Sequence, residues 1–203
     1  MKIGILNYEA CNIASIYYSL YRLGYDPIVL NKPGVINKLD KLIIPGVGAA
    51  KKCMDFMNSS SIKDEIINFF DKGKPILGIC LGLQIFSKKL YENGESDGLG
   101  LIDAKVVPLD GKKINMGWSN ITVNNNSNFC KIFNNKSFYF CHSYYLKMKD
   151  DYQNINCKAY LDEKNKIPSV IINKNFIGSQ FHPEKSQKNG VEFLKKFMCW
   201  EPN

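Results

Sequence analysis

Pro75-Ile76-Leu77-Gly78-Ile79-Cys80-Leu81-Gly82-Leu83-Gln84 is the stretch whose reading decides the fold. A short apolar run ends at a cysteine that has one glycine two residues before it and another two residues after it. An apolar-periodic segment follows. This pattern predicts a strand over residues 75–79, a sharp turn with Cys80 at its apex, and a helix over residues 81–90. A nucleophile on such a turn sits in strained backbone, and bulky neighbours would clash with it, which gives Gly78 and Gly82 a physical role. The helix opening at Leu81 aims free N–H groups and its positive dipole end at the sulfur. A thiol in such a place can have its pKa lowered from about 8.5 to roughly 3.5–7.5. A buried structural cysteine between two helix-packing glycines produces the same local pattern, so a partner base has to decide between the two.

Upstream, residues 2–7 read as a buried strand. Ile13, Ile16, Tyr17 and Leu20 then recur at helical spacing until Gly24. Ile28-Val29-Leu30 and Lys41-Leu42-Ile43-Ile44 are the next strands. Pro45-Gly46-Val47-Gly48 leads from the second of these into another helix. Ser61-x-x-Asp64 is a variant of the capping box that introduces a helix through Phe70. Strand and helix thus alternate over the first 90 residues, which predicts an α/β fold with an open, mostly parallel sheet flanked by helices. Downstream the rhythm changes. Short strands are expected at 101–108, 118–124, 137–141, 144–148, 155–160, 168–172 and 176–181, some of them forming an antiparallel extension. Val191, Leu194, Phe197 and Met198 close the chain with helical spacing. No repeat, linker or domain boundary is visible, so residues 1–203 read as a single domain. In an open parallel sheet, sites form at the carboxyl ends of the strands. Cys80 and the Pro45–Gly48 loop then share one sheet edge.

Composition narrows the function classes. No run approaches the roughly 18 apolar residues of a membrane span, and the N-terminus turns polar too soon for a signal peptide. The expected location is the cytosol. The net charge is +8, but the lysines are spread as pairs and Arg22 is the only arginine, so the clustered footprint of a nucleic-acid binder is missing. Seven cysteines at 11, 53, 80, 130, 141, 157 and 199 lack CxxC spacing, and only two histidines accompany them. This argues against a zinc site and for reduced thiols. No metal or cofactor is expected.

The base comes from Gly178-Ser179-Gln180-Phe181-His182-Pro183-Glu184-Lys185-Ser186. A strand runs into His182, and Pro183 keeps that residue extended. A thiol nucleophile needs a base to take its proton and later deliver it to a leaving amine, and the base needs a third group to fix its ring. Glu184 is placed for that role. The Pro45–Gly48 loop can turn uncovered backbone N–H groups toward a developing oxyanion, although a plain β-to-α loop has the same composition. Its spacing is not that of a phosphate loop.

These two stretches together resemble the class I glutamine amidotransferases, which hydrolyse glutamine through a thioester with a Cys-His-Glu triad. Ile44-Pro45-Gly46-Val47-Gly48-Ala49, Met116-Gly117-Trp118, Phe138-Tyr139-Phe140-Cys141-His142-Ser143-Tyr144 and His182-Pro183-Glu184-Lys185-Ser186 are similar to the glutaminase subunits of imidazole glycerol phosphate synthases. The resemblance implies that Cys80, His182 and Glu184 are catalytic. It further implies that backbone around Val47, Gly48 and Leu81 stabilises the oxyanion, and that Gln84, Ser143 and Tyr144 hold the glutamine. The implied partner is a (β/α)8-barrel synthase subunit that receives the ammonia in histidine biosynthesis, with Trp118, Tyr139 and Lys185 at the interface. Low glutaminase activity of the isolated chain is also implied. His142 matches a family histidine near the site, but the glutamate that could orient a base lies beside His182. Two stretches depart from the family pattern. Asn7-Tyr8-Glu9-Ala10-Cys11-Asn12 stands where Asp-Tyr-Gly-x-Gly-Asn is usual, and Ile114-Asn115 stands where Pro-His precedes Met-Gly-Trp. These departures leave room for a paralogue serving another acceptor, such as an amidino-sugar pathway. A non-catalytic binding subunit and a peptidase-like cysteine hydrolase are further readings, opposed respectively by the intact triad and by the His-Pro-Glu segment.

Overall fold

The computed structural model describes residues 1–8, 12–112, 114–123, 129–148, 157–162 and 167–202. Glu9, Ala10 and Cys11, where the first-strand pattern departs from the family, lie outside these residues, as do parts of the strands expected at 118–124 and 155–160. The chain opens with β1 (Ile3–Leu6), α1 (Ile13–Tyr21), β2 (Ile28–Leu30) and β3 (Lys41–Ile44). Next come α2 (Ala50–Asn58), α3 (Ile62–Asp71), β4 (Ile76–Ile79) and the single turn α4 (Leu81–Gln84). Then follow β5 (Ser87–Leu90), β6 (Ser96–Asp97), β7 (Ile102–Pro108), β8 (Asn115–Asn120), β9 (Thr122–Val123), β10 (Ser137–His142) and β11 (Tyr144–Met148). The last elements are β12 (Cys157–Asp162), β13 (Ile167–Asn173), β14 (Phe176–Ser179) and α5 (Gln187–Met198).

The main sheet has the order β2-β1-β3-β4-β14-β13-β12-β9. From β2 to β14 every pair is parallel, and from β14 outward every pair is antiparallel. The fold is therefore α/β, with a mixed, mostly parallel sheet flanked by helices. Alternation along the strands sorts the core into two layers. Leu42, Ile44, Ile76 and Phe176 pack with α2 and α3 on one face. Ile43, Leu77, Ile79 and Ile177 pack with Ile16 and Leu20 of α1 and Phe193, Leu194 and Phe197 of α5 on the other. A smaller sheet, β11-β7-β5-β6, and the ribbon β10-β8 stand beside it.

Three expectations are corrected. The helix predicted over residues 81–90 is one turn long, because Ser87–Leu90 pairs in parallel with β7 and antiparallel with β6. Short apolar runs fit either period, and here the available strand partners decide. Exposed ion pairs of Lys88 with Asp103 at 3.0 Å and of Lys89 with Glu95 and Asp97 at 2.8 and 2.9 Å accompany those pairings and add little to them. With only four residues in α4, little macrodipole faces Cys80. Ser61 is the N-cap of α3 but its side chain makes no capping bond, since its φ of −74° and ψ of 8° depart from the extended geometry that aims a capping hydroxyl. Finally, Cys130 is disulfide-bonded, whereas Cys80, Cys141 and Cys199 carry free thiols. Spacing along the chain does not reveal which sulfurs folding brings together. Among the described residues, no helix is long and apolar enough to cross a membrane.

Candidate active site

Cys80 follows β4 with φ 48° and ψ −100°, a conformation that L-residues avoid. Holding it costs roughly 1–3 kcal/mol, which the surroundings must over-determine. Two glycines permit the packing that does so. A Cβ on Gly82 would lie 2.1 Å from the Ile44 carbonyl oxygen, and one on Gly46 would lie 1.7 Å from the Ile79 oxygen and 2.8 Å from Cys80 Cβ. The loop after β3 is thus pressed against the turn after β4, as expected of neighbouring strands. Tyr8 adds a second hold, its hydroxyl lying 2.8 Å from the Pro45 carbonyl and 3.2 Å from that of Val47.

His182 reaches Cys80 through sheet register. Ser179 of β14 pairs with Ile79 of β4, and the Cys80 N–H donates to the Ser179 carbonyl at 2.6 Å. The chain then bends at Gln180 and Phe181 to reach His182, whose N–H donates to the Tyr139 carbonyl at 2.9 Å. The Ser186 hydroxyl donates to the His182 carbonyl at 2.6 Å and accepts from the Tyr139 N–H at 2.9 Å, tying the turn Pro183–Lys185 to β10. The His182 ring is buried, with Nδ1 2.8 Å from Glu184 Oε1. A carboxylate only accepts, so Nδ1 carries a proton and Nε2 is left for the sulfur. Burial works against the imidazolium. Hydrogen bonds and charge from Cys80 and Glu184 outweigh it and push the His182 pKa up to about 10. Cys80, His182 and Glu184 therefore form one line.

His142 behaves oppositely. Its Nδ1 lies 2.9 Å from the Tyr144 carbonyl and its Nε2 lies 3.1 Å from Asn115 Nδ2. This is a neutral ring between an acceptor and a donor. Burial, with help from the nearby His182 charge, lowers its pKa to about 4. Among the described residues it has no carboxylate partner, and it is not arranged as the base.

These groups open onto a cleft of about 340 Å³. Val47, Gly48, Leu81, Gln84, Ser143, Tyr144 and Lys185 all line it, beside Cys80 and His182. Gln84 is not a free hand in the cleft, because its Nε2 donates to the Tyr144 carbonyl at 2.9 Å and lies 3.4 Å from Gln180 Oε1. The rim is apolar. Ile114 and Met116 are more than 60% exposed and line the cleft mouth. Trp118 is exposed on the same face of β8 and meets Tyr139 edge-on at 6.0 Å, and Lys185 Nζ lies 5.9 Å from the Tyr139 ring centre.

The family model for class-I glutamine amidotransferases matches residues 5–199. The chain belongs to that family. Among curated relatives, an imidazole glycerol phosphate synthase subunit HisH of Caldanaerobacter subterraneus is 37% identical, over 96% of each chain. The subunit of the same name from Oceanobacillus iheyensis is 36% identical, over 96% of this chain and 97% of that one. That of Blochmanniella floridana is 36% identical, over 98% and 99%. A crystal structure of a glutamine amidotransferase superposes with a TM-score of 0.78 at 19% identity, covering 98% of this chain and 100% of the other. PurLQS of Thermotoga maritima superposes at 0.77 and 17%, covering 98% and 97%. At these identities the two superpositions speak for the fold alone.

In this amidotransferase four further side chains make contacts at the site that residue type and spacing do not predict. Gln180 donates from Nε2 to the Cys80 sulfur at 3.4 Å. Tyr8 clamps the Pro45–Gly48 loop, and Asn115 fixes His142. Glu92, the one carboxylate among the described residues lining the cleft, accepts from the Ala50 N–H at 2.6 Å. Asn115 is marked in the sequence only as a departure from the family pattern, and nothing local marks the contacts of Tyr8 and Glu92.

Proposed function

We propose that this chain is the glutaminase subunit of an imidazole glycerol phosphate synthase, with Cys80, His182 and Glu184 as its triad. Glutamine enters the cleft with its side-chain amide at Cys80. The sulfur adds to the amide carbon while backbone N–H groups around Val47, Gly48 and Leu81 face the oxyanion. His182 holds the proton taken from the thiol and delivers it to the departing nitrogen, the C–N bond breaks, and ammonia leaves a thioester behind. Water then loses a proton to the same ring nitrogen and adds to the thioester carbon. The C–S bond breaks, and glutamate leaves as the sulfur recovers its proton. Ser143 and Tyr144, with the amide oxygen of Gln84, hold the substrate, and Glu92 offers a carboxylate for its ammonium group.

For the chemistry, the carrying observation is His182 standing between Cys80 and Glu184 with Nδ1 committed to the carboxylate. For the pathway, support comes from the near full-length likeness to the named synthase subunits. Exposed Ile114, Met116 and Trp118, with Tyr139 and Lys185, suit a docking face for a (β/α)8-barrel synthase subunit that takes the ammonia. A second reading, a paralogue feeding another acceptor, is favoured by Asn115, which replaces the family histidine and holds His142. Reconstitution with the imidazole glycerol phosphate synthase barrel tests both. Glutamine-dependent product formation, lost in Cys80→Ala while ammonia-dependent formation survives, is the expected result. Glutamine hydrolysis without transfer to that barrel, but with transfer to a barrel of another pathway, supports the second reading.

A further inference from the structure

We propose that Gln180 is a further catalytic residue, its side-chain amide serving as the hydrogen-bond donor to the Cys80 sulfur during thioester formation and breakdown. The proposal rests on the nucleophile reading of Cys80. Gln180 is fully buried, so water cannot satisfy its amide. Its Nε2 lies 3.4 Å from Sγ, within the range of N–H to sulfur bonds.

The direction of this bond is dictated by its neighbours. The Tyr144 carbonyl can only accept, and it already receives the His142 Nδ1–H. It therefore requires the nitrogen end of Gln84, at 2.9 Å. That same Nε2 turns its second hydrogen toward Gln180, which must then present Oε1. With its oxygen so committed, Gln180 has only its nitrogen left for Cys80. Reversing either amide would set oxygen against oxygen or nitrogen against nitrogen, with no water to relieve it. A backbone carbonyl thus fixes, through two glutamines, a donor aimed at the sulfur.

A donor at that place discriminates between states of the sulfur. A negatively charged sulfur is a strong acceptor, and hydrogen bonds to charged groups are roughly twice as strong as neutral ones. A thioester sulfur is a poor acceptor. The amide therefore favours the thiolate before attack and again as it departs from the acyl group, while His182 handles the proton. A purely structural glutamine would fill the same space and be indifferent to the charge on sulfur.

The test is peptide-resolved alkylation of Cys80 by iodoacetamide across a pH series, on the full chain, with glutamine turnover measured in complex with the barrel subunit. Gln180→Met keeps the volume and removes the donor. Gln180→Glu keeps the acceptor for Gln84 and turns a like charge toward the sulfur. Expected for Gln180→Met is alkylation slower by about tenfold near neutrality, with the deficit closing as pH rises, and turnover reduced at least as much. Gln180→Glu should show a larger deficit displaced further to alkaline pH. If Gln180→Met fails to fold, Gln180→Glu alone decides. Alkylation profiles superimposable on the unsubstituted chain overturn the proposal, even where turnover or thermal stability falls. Failure of the underlying reading looks different, because Cys80→Ala would then still hydrolyse glutamine.

Discussion

Replacing Gly46 with alanine should separate the oxyanion loop from the nucleophile while leaving the nucleophile itself intact. The new Cβ would start 1.7 Å from the Ile79 carbonyl oxygen and 2.8 Å from Cys80 Cβ, where contacts under 3.0 Å are essentially never tolerated. Neither obstacle is a flexible side-chain tip. The Ile79 carbonyl is backbone at the end of a central strand, and Cys80 is held by its bond to Ser179. The loop must therefore move by more than an ångström, against the hold of Tyr8 on the Pro45 and Val47 carbonyls. A misplacement of about 1 Å near the reacting atoms can cost ~100-fold in rate, which is about 2.7 kcal/mol on the barrier. Overpacking of this kind also lowers stability by about 1–3 kcal/mol. The assay pairs steady-state glutamate production by the complex with alkylation of Cys80 in the same preparation. Turnover should drop by two orders of magnitude while alkylation changes by less than about threefold, because His182 and Glu184 do not touch the loop. Turnover and a thermal midpoint equal to those of the unsubstituted chain would refute the claim that this close approach sets the oxyanion geometry.

Two further outcomes follow from the histidines. Glu184→Gln removes the carboxylate that supports the His182 charge, so turnover should fall by about 10²–10⁴-fold in a folded protein. The His182 pKa is raised on folding, so its stabilising contribution is complete below about 6.5 and fades toward about 10. Urea titrations should accordingly show the two proteins differing most in mild acid and converging at high pH. The His142 pKa is instead lowered to about 4, by burial first, among Tyr144, Asn115 and the His182 charge. Here the unfolded chain takes the proton first, so stability declines as pH falls from about 6.5 toward 4, by an amount on the order of 3 kcal/mol. His142→Gln should flatten that acid limb, and an unchanged limb would count against the neutral-ring assignment.

Residues that declare themselves by type and spacing were readable before any coordinates. Cys80 stands between glycines, His182 precedes a proline, and Glu184 follows at the interval an orienting carboxylate needs. The strand alternation of the first half led to the parallel sheet, because buried strands read as short apolar runs whatever their partners. The spacing through Ser87–Leu90 fits a helix, but the segment is a strand because its partner β7 lies further along the chain. The same holds for the polar contacts. Tyr8 on the Pro45 carbonyl, Asn115 on His142 and Gln84 on the Tyr144 carbonyl join residues 27 to 60 positions apart. No period or motif encodes them. The disulfide at Cys130 is of this kind too.

The bond from the Cys80 amide to the Ser179 carbonyl is the last rung of the ladder between β4 and β14, at the centre of an eight-stranded sheet. The main chain of Cys80 is thus anchored by strand pairing, whereas His182, three residues beyond β14, is anchored by its own bonds to Tyr139 and Ser186. In hydrogen–deuterium exchange the Cys80 amide should belong to the slowest class, opening only when the whole sheet opens. Displacement of the Cys80 main chain on heating and loss of the fold should then share a single barrier.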